Sequence, residues 1–308
     1  MTAAWTFYRV TAALVEGLPR LSSCAPWALP ASCFFFGVHL FLHVVLRQIQ
    51  DSPLSGWLPL FQRKAWPHHG INRICSILHS TIVFVWGCGV LYQERALFRS
   101  ADDPTYFGAS MTVLQRPLLL FSLSYFLYDT VYVLIEWDPP TFLHHVAGLG
   151  AILFAFQRSM SGAELLAGLT IGECSTPMLH LRYFARHYAT LFAKQKAAEQ
   201  GQGQECNGGA FKTSKELPEV PVPQGICGVS FDRLHRIMEV TFASIFAVAR
   251  AIAGPCITLS LVLNPRTPVL VKIFGSSVCF LGFFWLFQIA YLIYSRGTAC
   301  RGAHTKGE

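Results

Sequence analysis

Ile74-Cys75-Ser76-Ile77-Leu78-His79-Ser80-Thr81-Ile82-Val83-Phe84-Val85-Trp86-Gly87-Cys88-Gly89-Val90-Leu91-Tyr92 is a run of nineteen residues without Asp, Glu, Lys or Arg. At about 1.5 Å per residue a helix of this length nearly crosses the roughly 30 Å hydrocarbon core of a bilayer. Working outward from it, further apolar runs occupy residues 27–46, 117–135, 163–184, 237–263 and 269–294. A shorter run, 142–156, reads as a tilted or partial span and brings the expected number to about seven. The composition agrees. With 53% hydrophobic and 13% charged residues, the chain has too few polar groups to cover a soluble globule. The expected fold is an all-α polytopic membrane helical bundle.

The net charge of +7 is not gathered into one stripe, as a nucleic-acid surface would require; the basic residues stand at the ends of the apolar runs. With the N-terminus outside and the C-terminus in the cytoplasm, fifteen Lys and Arg fall on inside segments and seven on outside ones. Arg9, Glu16 and Arg20 precede the first run, so no cleaved signal peptide is expected. Ten cysteines lie mostly inside apolar runs with no C-x-x-C pair, and read as small apolar side chains. Residues 194–225 are rich in Lys, Gln, Gly, Glu and Pro and read as a disordered cytoplasmic linker. The organisation expected is an N-terminal segment at 1–26, a first span and cytoplasmic loop at 27–71, a main membrane domain at 72–294 and a cytoplasmic tail at 295–308.

Ionisable groups inside spans cost roughly 2.5–3.5 kcal/mol each to insert, so they turn to the bundle interior and mark a site. His79 shares a helical stripe with Asn72 and Ser76, and Asp129 shares one with Ser122, Tyr125 and Tyr132. His144 and His145 follow the break made by Pro139 and Pro140. Glu173, Thr176 and His180 share a face interrupted by Pro177. By helical rise, His79 and Asp129 lie about 8–9 Å from the cytoplasmic ends of their spans with the histidine pair near that level, while Glu173 and Arg250 lie about 16–20 Å in. The expectation is that His79, Asp129, His144 and His145 line one cavity. Glu173 and Arg250 are expected to pair, because either charge alone at that depth is costly. His39, His43, His68, His69 and His235 read as interfacial, hydrogen-bonded or snorkelling groups. The four inner groups are chemically suitable zinc ligands, yet no metal is expected.

These features resemble, in order, the TLC-domain family shared by ceramide synthases, translocon-associated TRAM proteins and smaller lipid-related proteins. Asn72-Arg73 through Ser76 and His79-Ser80 resembles N-R-x-x-S-x-x-H-[AS]; Tyr125-Phe126 with Asp129 resembles Y-F-x-x-D; Leu143-His144-His145 resembles the double histidine. Glu173 through Pro177 to Arg182-Tyr183-Phe184 resembles E-x-[ST]-x-P-x-x-x-x-R-[WY]-F, and the stretch 246–254 with Arg250 resembles a late-helix arginine segment. The synthases carry a longer motif after the histidines ending in His-Asp and a further Asp. Gly172 and Glu173 stand here instead, so the closer resemblance is to the smaller TLC-domain transmembrane proteins.

What the resemblance implies is action on a membrane lipid, of the sphingolipid, ceramide or phospholipid classes, in the endoplasmic reticulum. In a synthase-like reaction, His144 or His145 would serve as general base or acyl acceptor, Asp129 would orient it, and acyl-CoA would be the co-substrate with no other cofactor. Asn72, Arg73, Tyr125, Glu173, His180, Arg182 and Arg250 would form the substrate-binding or structural polar core. A non-catalytic lipid-binding regulator of membrane composition and a transporter or channel remain alternatives. The expected partners are membrane lipid and no nucleic acid, with homo-oligomer formation left open.

Overall fold

A computed structural model describes residues 25–50, 66–94, 107–205, 225–226 and 229–304 of the chain. Its helices are α1 (Ala25–Gln50), α2 (Trp66–Glu94), α3 (Gln115–Glu136), α4 (Pro139–Arg158), α5 (Gly162–Glu173), α6 (Thr176–Glu205), α7 (Phe231–Val248), α8 (Gly254–Leu263) and α9 (Val269–His304). Ala249–Ala253 forms a π-helical turn between α7 and α8. Two-residue strands, β1 (Gly225–Ile226) and β2 (Val229–Ser230), pair antiparallel just before α7.

Among the described residues five helical stretches are long and apolar enough to cross a membrane: Gly70–Glu94, Gln115–Glu136, Pro139–Arg158, Phe231–Leu263 and Val269–Leu292. Two more of the expected crossings take another form. The described apolar part of α1 is the shorter Phe34–Val45. The run at 163–184 is delivered as two helices, because Pro177 has no N–H for the Glu173 carbonyl and the helix breaks at Cys174 and Ser175. The run at 142–156, expected to be partial, is the body of a twenty-residue helix long enough to span. Its start is set by Pro139 and Pro140 in the first turn, where a missing N–H costs nothing.

The linker expected at 194–225 begins inside α6, which persists to Glu205; residues 206–224 lie outside the described ones. The tail expected at 295–308 likewise starts as helix, since α9 runs to His304. The N-terminal segment as far as residue 24 also lies outside the described residues.

The chain divides into two compact units, one of Met1–Gly37, Leu78–Ser175 and Ala243–Glu308, the other of Val38–Ile77 and Thr176–Phe242. In the first, α4 packs against α3 on one side and α9 on the other, and α5 packs against α3 and α8. Val83, Val90, Leu118, Leu166, Leu261 and Val271 are core residues of its buried apolar cluster. The outward faces are also apolar: Phe280, Phe287 and Tyr291 of α9 are exposed, as suits a helix whose solvent is lipid. One connection is conformationally demanding. Gly108 has φ +80°, and a Cβ there would collide with Arg266.

Candidate functional site

His145 reaches α3 with both ring nitrogens. Its Nδ1 lies 3.3 Å from Thr130 Oγ1 and its Nε2 3.4 Å from Asp129 Oδ2. Thr130 spends its one hydroxyl hydrogen on the Phe126 carbonyl at 2.6 Å, the residue one turn back. Its oxygen can therefore only accept from His145, which puts a hydrogen on Nδ1 and turns Nε2 towards the Asp129 carboxylate. His145 is 4% exposed and Asp129 8%. Asp129 consequently fixes the ring rather than leaving it free to turn.

His79 belongs to the same layer but is walled in. The ring is 0% exposed, stacks on Tyr125 at 3.9 Å between centroids and on Phe121 at 5.6 Å, and meets Phe35 of α1 edge-on at 6.2 Å. Its Nε2 is 3.4 Å from Ser122 Oγ, and its Nδ1 is buried without a hydrogen-bond partner among the described residues. Phe126 stands between the histidines, edge-on to His79 at 5.7 Å and to His145 at 5.4 Å.

His144 lies with its ring 5.9 Å from that of His145, tilted by 57°, and is aimed at a different helix. Consecutive helical residues differ in direction by about 100°, so the neighbour of a residue aimed at α3 is aimed elsewhere. The ring of His144 meets Trp285 of α9 edge-on at 5.4 Å, and Arg250 is one of the charges acting on it. Its Nδ1 is buried and has no partner among the described residues. The double histidine thus serves two interfaces, α4 with α3 and α4 with α9.

Arg250 sits on the π turn, and Pro255 accounts for the widening. Pro255 offers no N–H to the Ala251 carbonyl, and Gly254 instead donates back five residues to Ala249. From this turn the guanidinium donates to the Gly172 carbonyl at 3.4 Å, lies 5.5 Å over the Phe246 ring, and passes its aliphatic stem against Gly282. Glu173 is the principal favourable charge acting on it, and its Nε is buried with no partner among the described residues. Arg250 thus acts electrostatically on His144 and with Glu173, groups that helical rise alone separates.

Beside that group runs an apolar groove of about 420 Å³, lined by Phe84 of α2, Ile171 and Cys174 at the end of α5, Ile245 of α7, and Ala249 and Ala253 of the π turn. A family model for the TLC domain matches residues 70–295. The chain belongs to the TLC-domain family. It is accordingly a multi-pass membrane protein of lipid metabolism or homeostasis.

In the second unit of this TLC-domain protein, Arg73 donates to His180 Nδ1 at 3.1 Å and lies 3.8 Å over the ring of Tyr183. Arg182 approaches Glu239 at 3.8 Å and the Phe242 ring at 5.1 Å, and His235 approaches the same carboxylate at 3.9 Å. Asn72 accepts on its backbone carbonyl from Ser76 at 2.9 Å. The side chains of His68 and His69 lie outside the described ones.

One buried acid escaped the sequence reading. Glu164, 2% exposed, accepts from the Gly108 N–H and from Thr267 Oγ1 at 3.0 Å. It ties the loop before α3 and the turn before α9 to the start of α5, next to Asn264, which donates to the Phe107 carbonyl at 2.9 Å. The available signal was Ser161-x-x-Glu164, the pattern of a capping box. The structure spends it differently: Ser161 takes φ +64° without capping, and the glutamate turns to the neighbouring loop. Among the described residues no three His, Cys, Asp or Glu side chains gather as metal ligands.

Proposed function

We propose that this TLC-domain protein seats a long acyl chain in the apolar groove and transfers an acyl group from acyl-CoA to the amine of a membrane lipid of sphingoid type. His144 is the working base and the Asp129 and His145 pair holds its helix and neighbour in place. The observation that carries this reading is a coincidence of two orphans. The Nδ1 of His144 and the Nε of Arg250 are both buried, both without a hydrogen-bond partner among the described residues, and within electrostatic reach of each other. Buried polar groups without partners are rare enough to ask for a reason. Attack of an amine on a thioester carbonyl needs an acceptor for the amine proton and a donor for the oxygen that gains charge; as the C–N bond forms the C–S bond breaks, and the coenzyme A thiolate leaves with the proton the base accepted. An imidazole and a guanidinium supply that pair, and the groove supplies an apolar berth alongside.

The test is purified protein with long-chain acyl-CoA and a panel of long-chain amines, read by mass spectrometry of the amide. Amide is expected from the wild type. His144→Ala and His145→Ala should each remove it by about 10²-fold or more, the usual weight of a positioned acid or base. A second reading, a non-catalytic regulator that senses membrane lipid, draws on His79 being sealed under aromatic rings and on both nitrogens of His145 being engaged. On that reading no amine is acylated, lipid co-purifies, and Ala249→Trp in the groove changes which lipid is held. The endoplasmic reticulum is the proposed residence, with the N-terminus on the lumenal side.

A further inference from the structure

Arg73 stands directly before the uncharged run 74–92, on helix α2, which starts at Trp66. That is the end of the apolar run, the level at which lipid headgroups meet the hydrocarbon. Its surroundings are unusual for a cation there. The guanidinium is stacked 3.8 Å over Tyr183, and one of its nitrogens is 3.1 Å from His180 Nδ1. An arginine only donates, so Nδ1 must accept, and the hydrogen of the neutral imidazole is on Nε2. Both members of the pair therefore keep N–H donors beyond this contact, and Arg73 has no carboxylate partner among the described residues. Glu239, an acid on a described helix of the same unit, is within reach of Arg182 and His235. Arg186, Arg233 and Arg236 add positive field on the helices of that unit.

We infer that Arg73, oriented by Tyr183 and His180, is a binding site for a phosphate ester at the membrane surface, the headgroup phosphate of an anionic glycerolipid being the occupant favoured by its depth. Stacking on an aromatic ring holds the guanidinium plane, so two parallel N–H groups are set for two phosphate oxygens, an arrangement a lysine cannot reproduce. The site needs no chemistry at the histidine pair and stands whether or not the protein transfers acyl groups.

The full chain, purified in detergent, is titrated with phosphatidic acid, with the diacylglycerol of the same chains, and with glycerol 3-phosphate. Bound ligand is read by native mass spectrometry. Phosphatidic acid should bind at least about tenfold more tightly than the diacylglycerol, the worth of one charge-assisted hydrogen bond or more. Arg73→Ala and Arg73→Lys should both lose that preference while Arg236→Ala keeps it. Glycerol 3-phosphate binding as tightly as phosphatidic acid, and failing with Arg73→Ala, would support the site with a soluble phosphate ester as its source. Equal affinity for phosphatidic acid and diacylglycerol, or an unchanged preference in Arg73→Ala, would overturn it. If Arg73→Ala does not fold, Tyr183→Leu decides: loss of the preference supports the site, and an unaltered preference refutes it.

Discussion

Arg250 carries its charge about 20 Å along the helix from the start of the apolar run at residue 237, a depth at which it needs company. Glu173 supplies opposite charge and the Gly172 carbonyl supplies an acceptor. Removing the cation alone takes away one of the two opposite charges in this contact, and breaking a buried pair of charges in this way costs on the order of 3 kcal/mol or more. Arg250→Leu should therefore lower the melting temperature in detergent further than Arg250→Leu combined with Glu173→Leu. A double variant that is less stable than the single one would show that the two charges do not depend on each other. These residues were legible in the sequence, because an ionisable group inside an apolar run has few reasons to be there. How His144 and His145 divide between two interfaces was not: adjacent letters carry no direction until the helices around them are placed. Thr130 was passed over for a related reason. A hydroxyl in a span usually bonds the carbonyl one turn back, and only the fold reveals that its oxygen also meets an imidazole.

Helices in this bundle approach closely where small residues allow it. A Cβ at Gly87 of α2 would overlap Thr170 Oγ1 of α5, and Thr170 is itself bonded to the Leu166 carbonyl at 2.7 Å, so it has no easy way to move. Gly87→Ala is expected to cost about 1–3 kcal/mol, the range for overpacking a tight contact. Thr170→Ala in the same chain should return part of the loss, read from the two melting temperatures. No recovery would place the cause elsewhere. At this scale the sequence was partly readable. Pro177 announced the α5 and α6 break because its missing N–H has one defined consequence. Gly254-Pro255 announced little, since the same dipeptide could have ended a helix or bent it. The extra residue of the π turn, which carries Arg250 between Gly172 and Gly282, emerges only from packing. Glu164 was hidden by its position at the edge of an apolar run, where a charge reads as belonging to a loop.

For the whole molecule, the apolar composition and its spacing were enough to place the chain in a bilayer, because few alternatives satisfy so many uncharged runs of spanning length. Orientation rests on the distribution of Lys and Arg. A glycosylation acceptor introduced near Asp103 should be modified and one near Gly208 should not; the reverse pattern would invert the topology. The lipid-facing surface contains two kinds of apolar relief: the exposed rings of α9, which any lipid can cover, and the groove beside Arg250, which has a defined lining. A photoreactive fatty acid fed to cells expressing the protein separates them. Crosslinks should concentrate on Ile171, Cys174 and Ile245, and Ala249→Trp, which fills the groove, should remove them. Crosslinks spread evenly over Phe280, Phe287 and Tyr291, and indifferent to Ala249→Trp, would contradict an acyl-chain seat in the groove.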